Sequence, residues 1–423
     1  MAGVIPGKMF TPGSDFSSQS YRTLANKAEV DIEQAHQIIK EKLPVLGELK
    51  ALLLVHLGDE PPFYIDARSG TAHIIDSTSD EPDTKLKIKP EYISLFYEGK
   101  LEPRCALFRD AILDKASVPI GLTPVAVKFA DLLTPHPPLP PKPADQFDRL
   151  PQPTNIDQGK RDIKEFGYGI AKNVLTAEQV VIIKKAVQEQ AAGEREAGIA
   201  QADGGPHRPN QRIWVLANKG EEFLDLLNHP IIDELLPWFL GDNAIIHSYS
   251  ANIVRPGNVP MQLHYDQLSV QPPNRELAFG LNILFYLEDI TPQNGGTLIY
   301  PASHVGHVAP PDIFITDGTV AVEAPAGSAL IIDSRVWHAT GPNRETCGER
   351  PAISIFFMRY FVRQQENNFL SLRKDVWPNL SDRLKRMLGF YTAGTLGGVD
   401  GDVREGQFVE WKEGAGTMRA PHE

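Results

Sequence analysis

Residues 134–154, TPHPPLPPKPADQFDRLPQPT, set the strongest limit on how this chain can fold. Proline lacks a backbone N–H and fixes φ near −65°, so a stretch this rich in it suits neither a helix interior nor a central strand. It favours extended polyproline II and predicts a semi-rigid spacer; a ligand for an aromatic groove is the other reading. A spacer here divides the 423 residues in two, and the length agrees, because a chain of this size exceeds one ordinary core.

Before that segment, VDIEQAHQIIKEKL (30–43) carries Ile32, Ala35, Ile38 and Ile39 at helical spacing. ALLLVHL, FYIDA, TAHIID and TKLKI, broken by Gly, Pro, Ser and Asp, predict short strands. PEYISLFYEGK opens on proline, and TPVAVKFADLL opens on a capping threonine, so each predicts a helix. The pattern is α+β and of domain size. Its His, Cys, Asp and Glu show no catalytic spacing, so an apolar groove is expected here rather than a reaction centre.

After it, Thr176 and Gln179 form a capping-box pair ahead of Val180, Ile183 and Val187, which predicts a helix. FLDLLNHPIIDELLPWFLG predicts a second helical run, ended by Gly241. From Ile245 onward AIIHSYSANIV, LAFGLNILFYL, GTLIYPAS, SALIIDS and RPAISIFFMRYFV read as strands, separated by turns such as TPQNGG and APAG. Many short strands with Gly/Pro turns predict a β-sandwich or barrel with the helices packed outside.

Composition narrows the partners. A formal net charge of −12 gives no support to nucleic acid or an anionic membrane, either of which calls for basic clusters. Two cysteines, Cys105 and Cys347, are too few for a disulfide framework. No run is long enough to span a bilayer, MAGVIPGKMF lacks the apolar core of a signal peptide, and APHE is not the peroxisomal tripeptide. A cytoplasmic location is the expectation.

Chemistry concentrates in MQLHYDQLSV (261–270), where His264 and Asp266 stand one residue apart. On a strand they would project from one face, with Tyr265 turned away. His338 follows in DSRVWHATGPNRETCGERPAISIFF, and Arg350 opens the next strand, whose even positions share a face. Two His and one carboxylate with open coordination positions form the facial triad of non-haem Fe(II) oxygenases. A guanidinium inside the barrel would grip a cosubstrate carboxylate bidentately. A histidine salt-bridged to an acid is the bland alternative; a zinc hydrolase shares the ligand types but has less need of the arginine.

Two resemblances sharpen this. FYIDARSG and TKLKIKPEYISLFYEGKLEPRCALFRDAIL, with the helix reaching Leu133, resemble a sterol-carrier-protein type lipid-binding domain over about 29–133. That implies a five-stranded sheet flanked by helices and a tunnel for fatty-acyl or sterol-like ligands. LHYDQ, NGGTLIYPASH, VWHATGPNR, ERPAISIFF and RQQEN resemble the phytanoyl-CoA dioxygenase family from about 162 to the mid-380s. That resemblance implies a double-stranded β-helix (jelly roll), Fe(II) as cofactor, and 2-oxoglutarate and O2 as cosubstrates. His264, Asp266 and His338 would bind iron, Arg350 the C5 carboxylate of 2-oxoglutarate, and Thr297 its C1 end. Where the family often has a glutamine three residues before the first histidine, this chain has Met261, and Gln262, one step closer, is the candidate for that contact with 2-oxoglutarate. His304 is expected to be structural. Halogenating relatives replace the acid with a small residue; Asp266 is present, so hydroxylation is implied over halogenation, with desaturation or rearrangement left open by substrate position.

The expected chain is therefore a lipid-binding domain (1–133), a linker (134–154) and a jelly-roll oxygenase domain with flanking helices (155–423). It would hydroxylate an acyl, isoprenoid or sterol-like molecule with release of succinate and CO2. The alternative is a lipid-binding or transfer protein with a catalytically silent oxygenase-like scaffold.

Overall fold

In this computed structural model the described residues are 18–104, 106, 123–271, 274–344 and 348–398, with side chains from 31 onward. The chain divides into two compact units, Met1–Pro138 with Gln271–Pro273, and Leu139–Val270 with Asn274–Glu423.

The first unit contains α1 (Ser18–Leu46), β1 (Leu52–Leu57), β2 (Phe63–Asp66), β3 (His73–Ile75), β4 (Thr84–Ile88), α2 (Pro90–Tyr97) and α3 (Pro124–Leu133). Alternation in TKLKI buries Thr84, Leu86 and Ile88 and exposes the two lysines, as a strand with one covered face requires. The described strands run in the order β3-β2-β1-β4, with β1 and β4 parallel. Ile39, Leu53, Val55, Phe96 and Phe129 fill the core between sheet and helices. Pro90 and Pro124 open their helices, and Thr123 caps α3 by accepting from the Ala126 N–H at 3.2 Å. The described sheet has four strands where the resemblance implies five; residues 105 and 107–122 lie outside the described residues, as do Cys347 and the APHE terminus.

The second unit carries α4 (Ile156–Phe166), β5 (Tyr168–Ala171), α5 (Ala177–Glu196), β6 (Gln201–Asp203), β7 (Asn210–Ile213), α6 (Glu221–Leu227), α7 (Pro230–Phe239), β8 (Ile245–Val254) and β9 (Gly280–Tyr286). β10 (Leu298–Ile299), β11 (Val320–Ala321), β12 (Ala329–Asp333), β13 (His338–Ala339), β14 (Arg350–Met358) and two short helices complete it. A seven-stranded sheet, β5-β12-β9-β14-β8-β7-β6, is layered on a three-stranded one, β11-β10-β13. Its outer face buries Ile283, Phe285, Ile353, Ile355 and Phe357 against Ile183, Val187, Phe223 and Leu235 of the helices. Its inner face sets Tyr286, Leu330, Ile332 and Ala352 against Ile299 of the smaller sheet and Val322 just past β11. Two facing sheets with helices on one side make the jelly roll.

Three expectations are corrected. From Leu139 the proline-rich segment is not a free spacer. Leu139 pairs with 307–309 (N–H to the His307 carbonyl at 3.0 Å), Ala144 donates to Gly318, and Thr154 bridges Ile170 and Lys172. Proline removes only its own N–H, and the residues between prolines keep enough donors to anchor the strap. The run at 223–241 is two helices, because Pro230 cannot continue α6 and His229 caps α7 by accepting from the Ile231 N–H. His264 and Asp266 do not lie on a regular strand: His264 makes a single bridge to His338, and Asp266 opens a 3-10 turn, 266–269. Tyr265 between them keeps extended angles (φ −125°, ψ 139°), so both side chains still leave on one side.

Candidate metal centre

The paired backbones of His264 and His338 build the centre. Each N–H donates to the other's carbonyl, at 3.0 and 2.8 Å, and the rings face one another at 4.4 Å. His264 Nδ1 lies 3.1 Å from the Gln262 carbonyl and His338 Nδ1 lies 2.9 Å from the Val336 carbonyl. A carbonyl only accepts, so both Nδ1 atoms carry a proton, which leaves Nε2 as the atom of each ring that can ligate. Both Nε2 atoms stand 3.7 Å from Asp266 Oδ1. Burial, reinforced by the His338 imidazole, holds His264 well below the usual histidine range, so it is neutral near pH 7. One ligand atom from each of the three lies within 4.8 Å of the others. The donor set is two imidazoles and a carboxylate, each oriented by a second group, as metal ligands usually are.

Asp266 Oδ2 accepts from Asn282 Nδ2 at 3.0 Å, and Asn282 Oδ1 accepts from the Ser354 hydroxyl at 2.8 Å. This relay runs across β9 and β14 and fixes the carboxylate while leaving Oδ1 turned to the imidazoles. Sequence reasoning missed both residues. Their signals were a lone amide in the apolar run GLNILFY and a serine on the even face of β14.

Arg350 opens β14 and is 2% exposed. It donates to the Gly295 carbonyl; its Nε has no partner, and it pairs with no carboxylate among the described residues. Burial pulls its pKa down to about 10. Gly295 is obligatory at this approach: its φ is +94°, and a Cβ there would lie 2.9 Å from Val254. Thr297, buried two residues on, shares a 3.2 Å hydrogen bond with the Tyr286 hydroxyl, and the Arg350 charge acts on the same phenol. Arg212 on β7, also missed, adds a second positive charge felt by both His264 and Arg350. Gln262 contributes its carbonyl; its side chain makes no hydrogen bond among the described residues. His304 is buried, with Nε2 on the Lys164 carbonyl at 3.3 Å, away from the triad's bonding network.

The jelly roll with two imidazoles, a carboxylate and a buried unpaired guanidinium defines the class of non-haem metal oxygenases. The chain belongs to the phytanoyl-CoA dioxygenase (PhyH) family, whose model matches residues 163–352. It is 30% identical over 258 residues to Dioxygenase af480 of Aspergillus fumigatus, covering 59% of this chain and 81% of that one. It is 23% identical over 303 residues to Dioxygenase andF of Emericella variicolor, covering 64% and 95%. Among solved structures, the non-heme alpha ketoglutarate dependent carbocyclase SnoK from nogalamycin biosynthesis matches at 19% identity with a TM-score of 0.41, over 57% of this chain and 94% of that one. The protein is a 2-oxoglutarate-dependent dioxygenase, with Fe(II) as cofactor and 2-oxoglutarate and O2 as cosubstrates. Among the described residues no helix is long and apolar enough to cross a membrane.

Proposed function

We propose that His264, Asp266 and His338 hold the Fe(II), that Arg350 binds the C5 carboxylate of 2-oxoglutarate, and that Thr297 meets its C1 end. The reaction assigned to the protein is hydroxylation of a small organic molecule. The single observation behind this is the convergence of two imidazole Nε2 atoms on Asp266 Oδ1, in a fold that also buries a guanidinium paired with no carboxylate among the described residues. Bound iron supplies the activation of O2 that couples decarboxylation of 2-oxoglutarate, to succinate and CO2, to removal of a substrate hydrogen.

The protein's own groups do the rest. The Gln262 and Val336 carbonyls hold the two Nδ1 protons, so each ring keeps its metal-facing tautomer. Asn282 and Ser354 hold Asp266 in place. Arg350 and Arg212 bring positive charge to a cosubstrate that carries two negative ones, in a site where burial strengthens the attraction. Inner-face Tyr286, Leu330 and Ile332 keep water from the adjoining core.

In the same proposal residues 1–133 form the lipid-binding domain and the remainder after the linker the oxygenase domain. The substrate is then an acyl, isoprenoid or sterol-like molecule, a reading supported by the resemblance of the first domain alone. The test is anaerobic loading of the full chain with Fe(II), addition of 2-oxoglutarate and air, and a screen of lipid extracts for a mass gain of one oxygen. Succinate release with a new oxygenated product supports the assignment. Lipid binding without iron-dependent succinate would make the chain a carrier with a silent scaffold.

A further inference from the structure

The inner face of β8 carries polar groups that neither the metal centre nor the core uses. Register identifies the face: Ser248 lies opposite Phe356, Ser250 opposite Ser354, and Asn252 opposite Ala352. Directly opposed residues of an antiparallel pair project from the same side of the sheet. Ser354 reaches Asn282, which holds Asp266, so this is the side on which the triad stands. His247 joins the row through a bulge in β8, because Ile246 and Ser248 pair with consecutive residues of β14 and His247 with none. Its ring packs edge-on against Phe356 at 4.8 Å, and Phe356 is also opposite Asn282.

Three of these residues are buried and Asn252 is half-buried. Ser250, Ser248 and His247 are 2%, 6% and 8% exposed. His247 Nδ1 and Asn252 Oδ1 are buried without a partner among the described residues, and Ser248 and Ser250 add two hydroxyls to the same face. Asn252 Nδ2 makes one long contact, 3.4 Å, to Thr340 Oγ1, two residues beyond His338. On the same inner face β9 and β12 present Tyr286, Leu330 and Ile332 to the core instead. A buried polar group without a partner costs about 1–3 kcal/mol, and folded proteins keep few of them. Alanine or valine would pack this row without that cost. Two such groups, with two serine hydroxyls in the same row, match the oxygens of a ligand.

We propose that His247, Ser248, Ser250 and Asn252 form a substrate-recognition strip, and that the substrate is an oxygenated molecule whose hydroxyl or carbonyl groups bind along β8. The strip turns a C–H of the docked skeleton toward His264, Asp266 and His338. This rests on the iron and 2-oxoglutarate reading above and names its substrate's chemistry. Burial keeps His247 neutral, so its ring offers one N–H and one lone pair, which complements a hydroxyl that both donates and accepts. From Ser248 to Asn252 the strip runs roughly 14 Å at ~3.4 Å per residue, the scale of a polycyclic or long acyclic skeleton. A plain hydrocarbon would leave His247 Nδ1 and Asn252 Oδ1 unpaired, and a site built for hydrogen bonds discriminates against the analogue that lacks them.

The test uses the full chain loaded with Mn(II) and 2-oxoglutarate, which bind without turnover, and thermal-shift and calorimetric titration. The probes are matched sets: acyclic, bicyclic and steroid hydrocarbons, each with its mono-hydroxylated and keto counterpart. The expected result is that, for at least one skeleton, an oxygenated member raises the melting temperature above its parent hydrocarbon. Ser250→Ala and the isosteric Asn252→Leu should each weaken that member about tenfold while leaving the parent unaffected. Two variants are used so that a folding defect in one does not decide the matter. No oxygenated member outranking its parent, total absence of binding included, overturns the proposal, as does an unchanged preference in both variants. The control separates it from the iron reading: if Mn(II) and 2-oxoglutarate themselves fail to stabilise the protein, the metal assignment has failed rather than the strip.

Discussion

Replacing Arg350 with methionine should make the ligand-free protein more stable and the ligand-bound protein impossible to form. Arg350 is buried with its charge uncompensated among the described residues: one donor rests on the Gly295 carbonyl, Nε is unpartnered, and it pairs with no described carboxylate. Burial lowers its pKa to about 10, a fall of roughly two and a half decades. At about 1.4 kcal/mol per decade the charged form costs about 3 kcal/mol in the folded state at pH 7. Arg350→Met removes that cost and loses a hydrogen bond of about 1 kcal/mol, and methionine fills much of the aliphatic stem's volume. A net gain of about 2 kcal/mol is expected for the ligand-free variant in urea unfolding. In the wild type, 2-oxoglutarate with Mn(II) at a hundred times its Kd should add about 2.7 kcal/mol; in the variant it should add almost nothing. A ligand-free variant weaker than wild type by about 2 kcal/mol or more, still stabilised by 2-oxoglutarate, would refute the reasoning. Arg350→Lys keeps the charge without the planar fork and should raise the KM for 2-oxoglutarate with metal binding retained; if Arg344→Lys does this instead, the wrong arginine has been assigned.

Further outcomes follow from the same contacts. His264→Ala and His338→Ala should each abolish stoichiometric Fe(II) binding, measured by elemental analysis, together with succinate release. Asn282→Ala frees Asp266 Oδ2 and should weaken metal affinity by about 10–100-fold with the three ligands intact, read by competition against a chelator. Burial raises Glu366 from 4.5 to about 7 while its carboxylate accepts from the Val215 and Tyr249 N–H groups. The folded state therefore holds this proton longer than the unfolded chain, so wild type should lose stability relative to Glu366→Gln as pH rises from 4.5 to about 7, and not above. A flat difference across that window would show that Glu366 is not the titrating group. A chain shortened to begin at Leu139 should fold and keep turnover of 2-oxoglutarate, whereas one beginning at Asn155 should melt several degrees lower, because it loses the backbone bonds of Leu139, Ala144 and Thr154.

Much of this protein was legible from residue order alone, because local chemistry is written locally. Periodicity and capping residues located α3 behind Thr123 and α5 behind Thr176 and Gln179, and the apolar runs marked β8, β9, β12 and β14. The residues of the candidate centre were also visible, since ligand types carry their chemistry wherever they stand. What sequence could not supply was where distant atoms meet. The strap at 139–154 looked like a spacer because proline content says nothing about which carbonyls its remaining N–H groups will find. The local conformation at His264 and Asp266 differed from the expected strand, since a bridge to His338 replaces a full ladder. Asn282, Ser354, Arg212 and the unpaired row on β8 became meaningful only through register, because cross-strand neighbours are chosen by packing of the whole sheet. The sequence determined which groups could do chemistry; the tertiary structure decided which of them share a face, and burial then set their charge.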